Sequence, residues 1–394
     1  MSDYRVPFSG RGHAYTDEEI QVAVEAMTTA IPLSQGEYQE KFQEKFCQLT
    51  GAKHAFALNN ATSALEISAQ ICQFKLGDEV IIPAHTFTAS AYPFLKNGAK
   101  IVWADIDLST RVVTVETIQR CITPNTKAIV VVHLYGFAAN MPAIMDLANQ
   151  NNLLVIEDAA QAMGVEIEGK AVGTFANFGI FSFHSHKNIT TLGEGGMLTV
   201  KDDQIASIIP MMRHNGHCSF DYKRDEYWVP AMGNVDLPAL NGEILWPNNY
   251  CLGEVECAVG AKLLDRLREM NDKRRQRAMK FIDSLNEFPD LIFHRENTSR
   301  HNYHLLVAQL INGKRDEFIQ KMAIEEGVQC VVQYYPLYHY DLYIKANQGE
   351  ANCPNTEEFY WQMVSFPFHH MMADSDFEWM INASKRVMTS LGRI

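Results

Sequence analysis

Hydrophobic and polar positions follow a helical pattern from about residue 16 to residue 50. The first segment, TDEEIQVAVEAM, opens with Thr16 as a predicted N-cap and with acidic residues in its first turn. The second segment, EYQEKFQEKFCQLTG, is predicted to end at Gly51, because glycine readily adopts the left-handed conformation that closes a helix. Two helices are therefore expected before the pattern changes.

Short apolar runs follow and alternate with stretches of helical length. These runs are HAFAL (54–58), EVIIP (79–83), IVWADI (101–106), AIVVVHL (128–134), LLVIED (153–158), FGIFSF (178–183) and GMLTV (196–200). Because the runs are apolar throughout, they predict strands that are buried on both faces. Strands separated by helical stretches predict an α/β domain with a mainly parallel sheet wrapped by helices. Ligands of such sheets bind beyond the carboxyl ends of the strands.

The chain after residue 250 shows a different mixture of elements. Residues 251–285 predict one long amphipathic helix, or two helices broken near the middle. The segments HNYHLLVAQL and VQCVVQYY give weaker strand signals on either side of the helical GKRDEFIQKMAIEEG. We therefore expect a large α/β domain with N-terminal helices over residues 1–250, and a connecting helix with a smaller α+β domain over residues 251–394.

Composition argues against several classes of function. The formal net charge of −13 disfavours nucleic acid and anionic membrane surfaces as partners, and no apolar stretch approaches the roughly 20 residues of a membrane span. The eight cysteines form no CxxC pair, and the N-terminal segment has no apolar core of a signal peptide. We expect a soluble, cytoplasmic protein that acts on small molecules.

Two of the predicted strand ends carry candidates for binding a cofactor. Residues Asn60 to Ser63 form a small, polar turn that opens a predicted helix. Free backbone N–H groups and the positive end of the helix dipole make this turn a candidate phosphate cradle, although a well-capped helix gives the same pattern. Phe87 lies just past the strand EVIIP, where it either stacks on a planar heterocycle or joins the core.

Two further strand ends carry a carboxylate and a lysine. The strand LLVIED ends in Glu157 and Asp158, and a carboxylate there is costly unless it caps a helix or meets a cation such as a pyridinium nitrogen. Lys187 follows the strand FGIFSF, where partial burial would lower the pKa of its amine and prepare it to attack an aldehyde. A lysine on a surface loop gives the same local pattern.

The order of these four features is more specific than any one of them. A phosphate cradle, a flat aromatic, a carboxylate at a strand end and then Ser182-x-x-x-x-Lys187 form the set that a pyridoxal 5′-phosphate site requires. With these motifs the chain closely resembles the DegT/DnrJ-type sugar aminotransferases, which are fold-type I enzymes that use this cofactor. The resemblance covers nearly the whole chain and rests on VPFSGRG, PLSQGEYQEKFQEKF, GDEVIIPAHTFTAS, VIEDAAQAMG, FSFHSHKNITTLGEGG, MRHNG and QYYPLYH.

The resemblance implies roles for the residues around the cofactor ring. Lys187 occupies the position of the lysine that forms a Schiff base with the cofactor and acts as the acid and base of the proton shift. Asp158 would pair with the pyridinium nitrogen, Gln161 would lie near the 3-hydroxyl, and Phe87 matches the aromatic that stacks on the ring. His186, beside the lysine, is expected to touch the substrate or to tune the chemistry of Lys187.

The resemblance also implies a phosphate site that two subunits share. Ala61, Thr62 and Ser182 match the family's phosphate ligands. Asn249, in WPNNYCLGEVECA, matches an asparagine that reaches the phosphate from the other subunit, so a homodimer is implied. Two positions depart from the family pattern, because Ala61 replaces a common glycine and Cys251 replaces a common arginine.

Two unrelated classes of site fit the sequence less well. No HExxH motif and no carboxylate at ligand spacing accompanies the clustered histidines, so no metal is expected. These histidines are His184, His186, His214 and His217. No GxGxxG motif follows the first strand, which argues against a nicotinamide dehydrogenase.

Two alternatives share the fold and differ in the chemistry. A sugar dehydratase of this family has a histidine in place of the Schiff-base lysine, and the retained Lys187 argues against that function. A sugar-sensing protein without turnover has no need for the complete set of Lys187, Asp158, Ser182 and Asn249. An aminotransferase is therefore the leading hypothesis.

The resemblance implies glutamate as the amino donor and a keto-sugar as the acceptor. Most relatives act on nucleotide-linked 4-keto or 3-keto 6-deoxyhexoses. The whole-chain pattern most resembles the branch that converts 8-keto-3-deoxy-manno-octulosonate into 8-amino-3,8-dideoxy-manno-octulosonate, a lipopolysaccharide sugar. A diphosphate calls for several cations near the site, whereas an octulosonate needs mainly one carboxylate partner. The cationic candidates are few, chiefly Arg11, His13 and Arg213, so this balance favours the octulosonate.

Overall fold

The structure is a computed structural model that describes residues 4–8, 14–220, 228 and 230–392. In chain order the strands are β1 (His54–Leu58), β2 (Glu79–Pro83), β3 (Lys100–Ala104), β4 (Thr126–Val132), β5 (Leu154–Asp158), β6 (Glu166–Ile167), β7 (Lys170–Ala171), β8 (Phe178–Ser182), β9 (Gly196–Val200), β10 (His217–Cys218), β11 (Asn234–Val235), β12 (Leu291–Phe293), β13 (Leu306–Leu310) and β14 (Met363–Phe366). The α-helices are α1 (Asp17–Thr29), α2 (Glu37–Thr50), α3 (Ala61–Cys72), α4 (Tyr92–Lys96), α5 (Val115–Gln119), α6 (Met141–Gln150), α7 (Asp203–Arg213), α8 (Glu254–Leu263), α9 (Leu267–Ser284), α10 (Arg315–Ile324), α11 (Asp341–Lys345), α12 (Pro354–Gln362) and α13 (Asp374–Leu391).

Seven strands form one mixed sheet in the order β1-β9-β8-β5-β4-β2-β3. The strands from β8 to β3 are parallel, and β9 is antiparallel to both of its neighbours. Strands β2, β8 and β9 are buried at every residue, as expected for strands covered on both faces. The predicted fold class, an α/β domain with a mainly parallel sheet and the fold-type I architecture, is confirmed.

The N-terminal helices begin and end where the sequence predicts. Thr16 Oγ1 accepts a hydrogen bond from the backbone N–H of Glu19, and the Glu19 carboxylate accepts one from the backbone N–H of Thr16. This reciprocal pair satisfies two N–H groups that a helix start leaves without partners. Helix α2 closes at Gly51, whose φ of 72° is the left-handed conformation expected there.

The region after residue 250 differs in detail from the expectation. The predicted long helix is divided into α8 and α9 by a 3-10 turn at Leu264–Arg266, which is the second of the two alternatives. HNYHLLVAQL contains β13, whereas VQCVVQYY makes only the isolated bridges Val6–Val328 and Val331–Ser365. The strand expected there was wrong, because β14 pairs with β13 instead and completes the order β12-β13-β14.

Two hydrophobic clusters fill the interior. One surrounds the large sheet and also takes in Leu337, Tyr343 and Phe359 from the C-terminal part of the chain. The other is drawn from Val6 and from residues 278–391. The second cluster supports a separate C-terminal unit, and the boundary between residues 250 and 251 stays a prediction. Within the described ranges, no helix combines the length and the apolar character needed to cross a membrane.

Candidate active site

A cavity of about 420 Å³ lies at the edge of the large sheet where β5 and β8 end and β9 begins. Eight residues predicted from the sequence line it: Ala61, Thr62, Phe87, Asp158, Gln161, Ser182, His186 and Lys187. They meet here because the carboxyl ends of parallel strands share one edge of the sheet. The structure therefore places them together, and their individual roles are argued below as a proposal.

The first turn of α3 forms one wall of the cavity. Asn60 Oδ1 accepts a hydrogen bond of 2.8 Å from the backbone N–H of Ser63 and caps the helix. The N–H groups of Ala61 and Thr62 have no acceptor within the helix, because they belong to its first turn. A Cβ atom on Gly196 would lie 2.4 Å from the carbonyl carbon of Asn60, so only glycine lets β9 approach this turn so closely. The result is an anion cradle at the positive end of a helix.

Adjacent carboxylates at the end of β5 point to opposite faces of the sheet, as side chains of a strand must. Glu157 is fully buried and accepts hydrogen bonds from His133 Nε2 at 3.0 Å and from the backbone N–H groups of Phe175 and Ala176. His133 Nδ1 in turn accepts the N–H of Ala139 at 3.1 Å, which fixes the proton of the ring on Nε2. Glu157 is thus satisfied inside the fold, and only Asp158 lines the cavity.

Asp158 is 5% exposed and holds two internal hydrogen bonds. Its Oδ2 accepts the hydroxyl of Ser90 at 2.8 Å, and its Oδ1 accepts the backbone N–H of Ala160 at 3.1 Å. A carboxylate has more acceptor sites than these two bonds use. Asp158 is therefore fixed in place and is still able to pair with a cationic ligand in the cavity.

Lys187 lies in the loop between β8 and β9 and is partly buried. Its backbone N–H donates to the carbonyl of His184 at 2.8 Å, which holds the turn that carries the side chain. Burial lowers the pKa of the Lys187 amine to about 8, and the nearby charge of Asp158 opposes this shift only in part. An amine with this pKa is neutral in a large fraction of molecules near pH 8, which is the form that attacks a carbonyl or accepts a proton.

Gln161 is fixed by a buried polar network. Its Oε1 accepts the backbone N–H of Tyr135 at 2.6 Å, and its Nε2 donates to the hydroxyl of Tyr334 at 3.0 Å. The hydroxyl of Tyr135 donates to the carbonyl of Gln333 at 2.7 Å, so its oxygen accepts the Nε2–H of His85 at 2.6 Å. Burial lowers the pKa of His85 to about 3 and raises that of Tyr334 to about 12, so the network stays neutral.

Two predicted residues lie at the open side of the cavity. Phe87 is 52% exposed, and its ring centroid is 6.1 Å from that of Tyr334. His186 is exposed and its ring stands nearly perpendicular to that of His184, with 5.0 Å between the centroids. Partial burial, together with repulsion from His184 and Lys187, lowers the pKa of His186. The ring is therefore mostly neutral near pH 7.

The predicted substrate role of Arg213 finds no support in the geometry of the cavity. Arg213 is 4% exposed and does not line the cavity. Its Nη1 donates to Gln43 Oε1 at 2.7 Å and to the carbonyl of Ala57 at 2.9 Å, and its Nη2 donates to Gln39 Oε1. The guanidinium is therefore used inside the fold, where it joins the end of α7 to α2 and β1.

Three other predicted residues stay untested. Asn249 is exposed, lies outside the cavity and forms an isolated bridge with His214. An exposed position is compatible with a contact to a second subunit, which stays a prediction. Arg11 and His13 lie outside the described residues.

Sequence reasoning missed residues that the C-terminal half brings to the cavity. Arg274, His304, Gln333, Tyr334 and His369 all line it. Three buried polar atoms of this wall have no hydrogen-bond partner among the described residues: Arg274 Nε, Gln333 Oε1 and His369 Nδ1. The motif QYYPLYH was the one sequence signal that pointed to this wall. Within the described ranges, no group of three or more His, Cys, Asp or Glu side chains is placed to hold a metal ion.

Comparison with known proteins agrees with this geometry. Residues 14–385 match the model of the DegT/DnrJ/EryC1/StrS aminotransferase family. The chain is 30% identical to the spore coat polysaccharide biosynthesis protein SpsC of Bacillus subtilis over 98% of this chain and 96% of that protein. It is 31% identical to the GDP-perosamine synthase of Caulobacter vibrioides, with 94% and 95% covered. An aminotransferase structure from Psychrobacter cryohalolentis superposes with a TM-score of 0.86 at 26% identity, covering 98% of this chain and all of the other.

Proposed function

The chain belongs to the DegT/DnrJ/EryC1/StrS aminotransferase family, and from that premise we propose that it moves an amino group from glutamate to 8-keto-3-deoxy-manno-octulosonate. The product would be 8-amino-3,8-dideoxy-manno-octulosonate, a lipopolysaccharide sugar. The protein is a sugar aminotransferase, and its cofactor is pyridoxal 5′-phosphate. The identity of the two substrates, the roles of the site residues, the homodimer and the cytoplasmic location are what we propose.

The cavity fits this cofactor residue by residue. The N–H groups of Ala61 and Thr62, together with Ser182, would hold the phosphate, because the start of a helix favours an anion. Asp158 would pair with the ring nitrogen, since it is the buried carboxylate that faces the cavity. The single observation that carries the proposal is that Lys187, with a pKa lowered by burial to about 8, lies in the same cavity as Asp158.

Two more residues would orient the ring. Gln161 would lie near the 3-hydroxyl, where the network through Tyr135 and Tyr334 holds its amide in one orientation. Phe87 would stack on one face of the ring, and half of its surface is open for that contact. The bound cofactor supplies an electron sink that stabilises negative charge on the carbon bearing the transferred nitrogen.

The protein's own groups provide the proton transfers. Lys187 Nζ, once neutral, would accept the proton from the donor carbon that bears the nitrogen and return it to the carbon on the other side of that nitrogen, because one amine with a pKa near 8 both takes up and releases protons at neutral pH. Asp158 keeps its charge in place through Ser90 and Ala160. His186 at the cavity mouth would contact the acceptor sugar.

The charge of the cavity supports a carboxylate sugar as the acceptor. Among the described residues that line it, the lysine and arginine side chains are Lys187, whose pKa is lowered to about 8, and Arg274. A nucleotide-linked sugar brings a diphosphate, which calls for several cations. An octulosonate brings one carboxylate, which needs fewer positively charged partners and therefore suits this cavity.

A nucleotide-linked keto-hexose is the second candidate acceptor. The observation that favours it is the 31% identity to a protein named GDP-perosamine synthase. The retained Lys187 argues against the sugar dehydratase, as it does in the sequence. We also propose a homodimer with a shared phosphate site, which the exposed position of Asn249 supports. The eight free cysteines support a cytoplasmic location.

A panel of acceptors tests the proposal. The holoenzyme would first be converted with glutamate, and the change of the cofactor spectrum and the release of 2-oxoglutarate would be measured. The aminated enzyme would then be mixed with 8-keto-3-deoxy-manno-octulosonate and with nucleotide-linked 4-keto and 3-keto hexoses. We expect the octulosonate to react fastest. Faster reaction of a nucleotide-linked sugar would select the second candidate, and a deoxygenated product without nitrogen would show a dehydratase.

A further inference from the structure

The cavity is lined by a buried arginine that the proposed function counts among its few positive charges without assigning it a ligand. Arg274, on α9, is 2% exposed and lines the cavity together with His304 and His369. Its guanidinium lies over the ring of Phe368 at 5.9 Å from the centroid. A charged group in such a place is costly unless its donors find acceptors.

The hydrogen bonds of Arg274 leave part of the guanidinium without a partner. Nη1 donates to the carbonyls of Tyr303 at 3.2 Å and His304 at 3.3 Å. Nε has no acceptor, and the structure gives none for Nη2 among the described residues. The Nε and Nη2 groups form one edge of the guanidinium, which is the edge that binds a planar carboxylate through two parallel bonds.

A second buried arginine provides a comparison, because both of its terminal nitrogens have acceptors. Arg111 is also 2% exposed, and its Nε likewise has no acceptor. Its Nη1 donates to the carbonyl of Val307 at 3.2 Å and its Nη2 to that of Ile292 at 2.9 Å, and it does not line the cavity. Arg111 therefore braces the backbone, whereas Arg274 braces it with only one of its two terminal nitrogens.

Among the residues that the structure describes, no carboxylate compensates the charge of Arg274. Burial alone lowers its pKa to about 10, without an opposing carboxylate. His304 Nδ1 is bonded to Asn188 Oδ1 at 3.1 Å, and burial, Lys187 and Arg274 hold the pKa of His304 well below its ordinary value. Burial and the neighbouring arginines lower the pKa of His369 to about 4. At neutral pH this wall therefore presents one uncompensated cation between neutral imidazoles.

We propose that Arg274 binds a carboxylate of the amino donor, a dicarboxylic amino acid, and so selects the donor. This inference rests on the proposed function, because it assigns to Arg274 a carboxylate of the donor that Lys187, in the same cavity, must reach. A carboxylate matches the planar edge of the guanidinium, and the cradle at α3 is already matched to the phosphate. His304, fixed by Asn188, would complete the subsite as a neutral hydrogen-bonding neighbour.

Calorimetry with ligands that undergo no reaction tests the subsite. Glutarate, which has two carboxylates and no amino group, would be titrated into the holoenzyme, and glutaramide would be the uncharged comparison. The variants would be Arg274→Lys, which keeps the charge and loses the planar edge, and Arg111→Lys as the matched buried control. We expect Arg274→Lys to weaken glutarate binding by about tenfold to a hundredfold, the value of a bond to a charged group. Arg111→Lys should leave glutarate binding unchanged.

Two results would overturn the inference. One is equal binding of glutarate and glutaramide to the wild-type holoenzyme, which needs no variant to fold. The other is an equal loss of glutarate binding in the Arg274→Lys and Arg111→Lys variants, since it would show a general effect on the fold.

Kinetics of the two half-reactions separate the donor from the acceptor. We expect Arg274→Lys to raise the KM for glutamate more than the KM for the keto-sugar. A rise confined to the keto-sugar would overturn the assignment to the donor. If the wild-type enzyme bound glutarate through Arg274 and yet did not react with glutamate, the subsite would stand and the proposed donor would be wrong.

Discussion

The hydroxyl of Ser90 donates a hydrogen bond of 2.8 Å to Asp158 Oδ2, although Ser90 follows β2 and Asp158 is the last residue of β5. Ser90 is 2% exposed and Asp158 is 5% exposed. Removing the hydroxyl therefore leaves the Asp158 carboxylate with one of its two internal donors, the backbone N–H of Ala160. Under the proposed function Ser90 is a positioning residue, because it would act on the ligand through the carboxylate that it holds.

Replacing this hydroxyl should weaken the binding of pyridoxal 5′-phosphate. We expect Ser90→Ala to raise the dissociation constant of the cofactor about tenfold, the effect of losing roughly 1.4 kcal/mol of hydrogen bonding. Ser90→Thr should restore most of the affinity, because it restores the hydroxyl. Fluorescence titration of the cofactor-free enzyme measures both.

Ser68→Ala is the matched control for that measurement. Ser68 is fully buried, and its hydroxyl donates to the carbonyl of Ala64 within α3 rather than to a residue of the cavity. The Ser68→Ala substitution should change the free energy of unfolding and leave the affinity for the cofactor near the wild-type value. Equal losses of affinity in the two alanine variants would contradict the positioning role of Ser90.

The lowered pKa of Lys187 predicts how the stability of the cofactor-free enzyme depends on pH. The pKa is about 8 in the folded chain against an ordinary value of 10.5. Below pH 8 the amine is charged in both states, and its burial destabilises the fold. Between pH 8 and 10.5 the unfolded chain binds the proton that the folded chain has lost, so stability rises with pH. Above 10.5 the contribution is constant.

A neutral replacement should therefore stabilise the cofactor-free enzyme at neutral pH. We expect Lys187→Met to raise the free energy of unfolding at pH 7 by up to about 3 kcal/mol, with the difference fading as the pH approaches the ordinary pKa of lysine. Urea denaturation of both proteins across this range measures the difference. The same variant should be inactive and should retain no cofactor after borohydride reduction, which in the wild type should fix the cofactor on Lys187.

Lys96 provides a control of opposite sign. Its hydrogen bond to Glu66 raises its pKa, so the stability that it contributes is present below its ordinary pKa and is lost as the pH rises through the raised value. Lys96→Met should therefore not stabilise the protein at pH 7. A Lys187→Met variant that is no more stable than the wild type at pH 7 would show that the amine is not desolvated.

If two subunits share the phosphate site as proposed, replacing Asn249 should weaken cofactor binding without lowering the stability of the fold. Its side chain is exposed in the single chain, so Asn249→Ala should change the free energy of unfolding of the cofactor-free protein little. If the side chain bonds the phosphate of the partner's cofactor, its loss should weaken cofactor retention by about tenfold to a hundredfold. Equilibrium dialysis of the cofactor measures the retention, and sedimentation measures the dimer.

The adjacent Asn248 gives the contrasting control. Its Oδ1 accepts Gln70 Nε2 at 3.2 Å, and its Nδ2 donates to the carbonyl of Met212 at 3.5 Å, both within one chain. Asn248→Ala should therefore lower stability more than Asn249→Ala does and weaken cofactor retention less. A monomer with full activity at nanomolar concentration would contradict the shared site.

The sequence predicted which residues meet in the cavity where these residues are local to a strand end. Asp158, Ser182 and Lys187 stand directly at or after buried strands, and the common edge of a parallel sheet brings such positions together. Ser90 and Arg274 could not be found this way, because nothing in their own segments shows what they contact. Asp158, the partner of Ser90, is 68 residues away along the chain. The cavity that Arg274 lines is assembled from both halves of the chain.

The sequence pattern also could not predict which segments pair as neighbouring strands. VQCVVQYY has the composition of a strand, yet β13 accepts β14 as its neighbour and leaves this segment with isolated bridges. Apolar alternation reports that a segment is half-buried and does not report which segment it pairs with. The same limit applies to Arg213. Its positive charge suits a ligand contact, but the sequence does not show that its guanidinium bonds to groups inside the fold.

Arg213 gives the last prediction, which reverses the expectation from the sequence. Its guanidinium donates to Gln43 Oε1, to the carbonyl of Ala57 and to Gln39 Oε1, so its removal takes a donor from each of the three acceptors, although Gln43 Oε1 keeps the backbone N–H of Ala57. We expect Arg213→Ala to lower the free energy of unfolding by about 2–4 kcal/mol while the KM for the acceptor stays at the wild-type value. Arg213→Lys should recover part of the stability, because an ammonium can donate to some of these acceptors and lacks the planar fork that reaches all of them. Urea unfolding and steady-state kinetics on the same preparations measure both quantities. A raised acceptor KM with unchanged stability would return Arg213 to the substrate site.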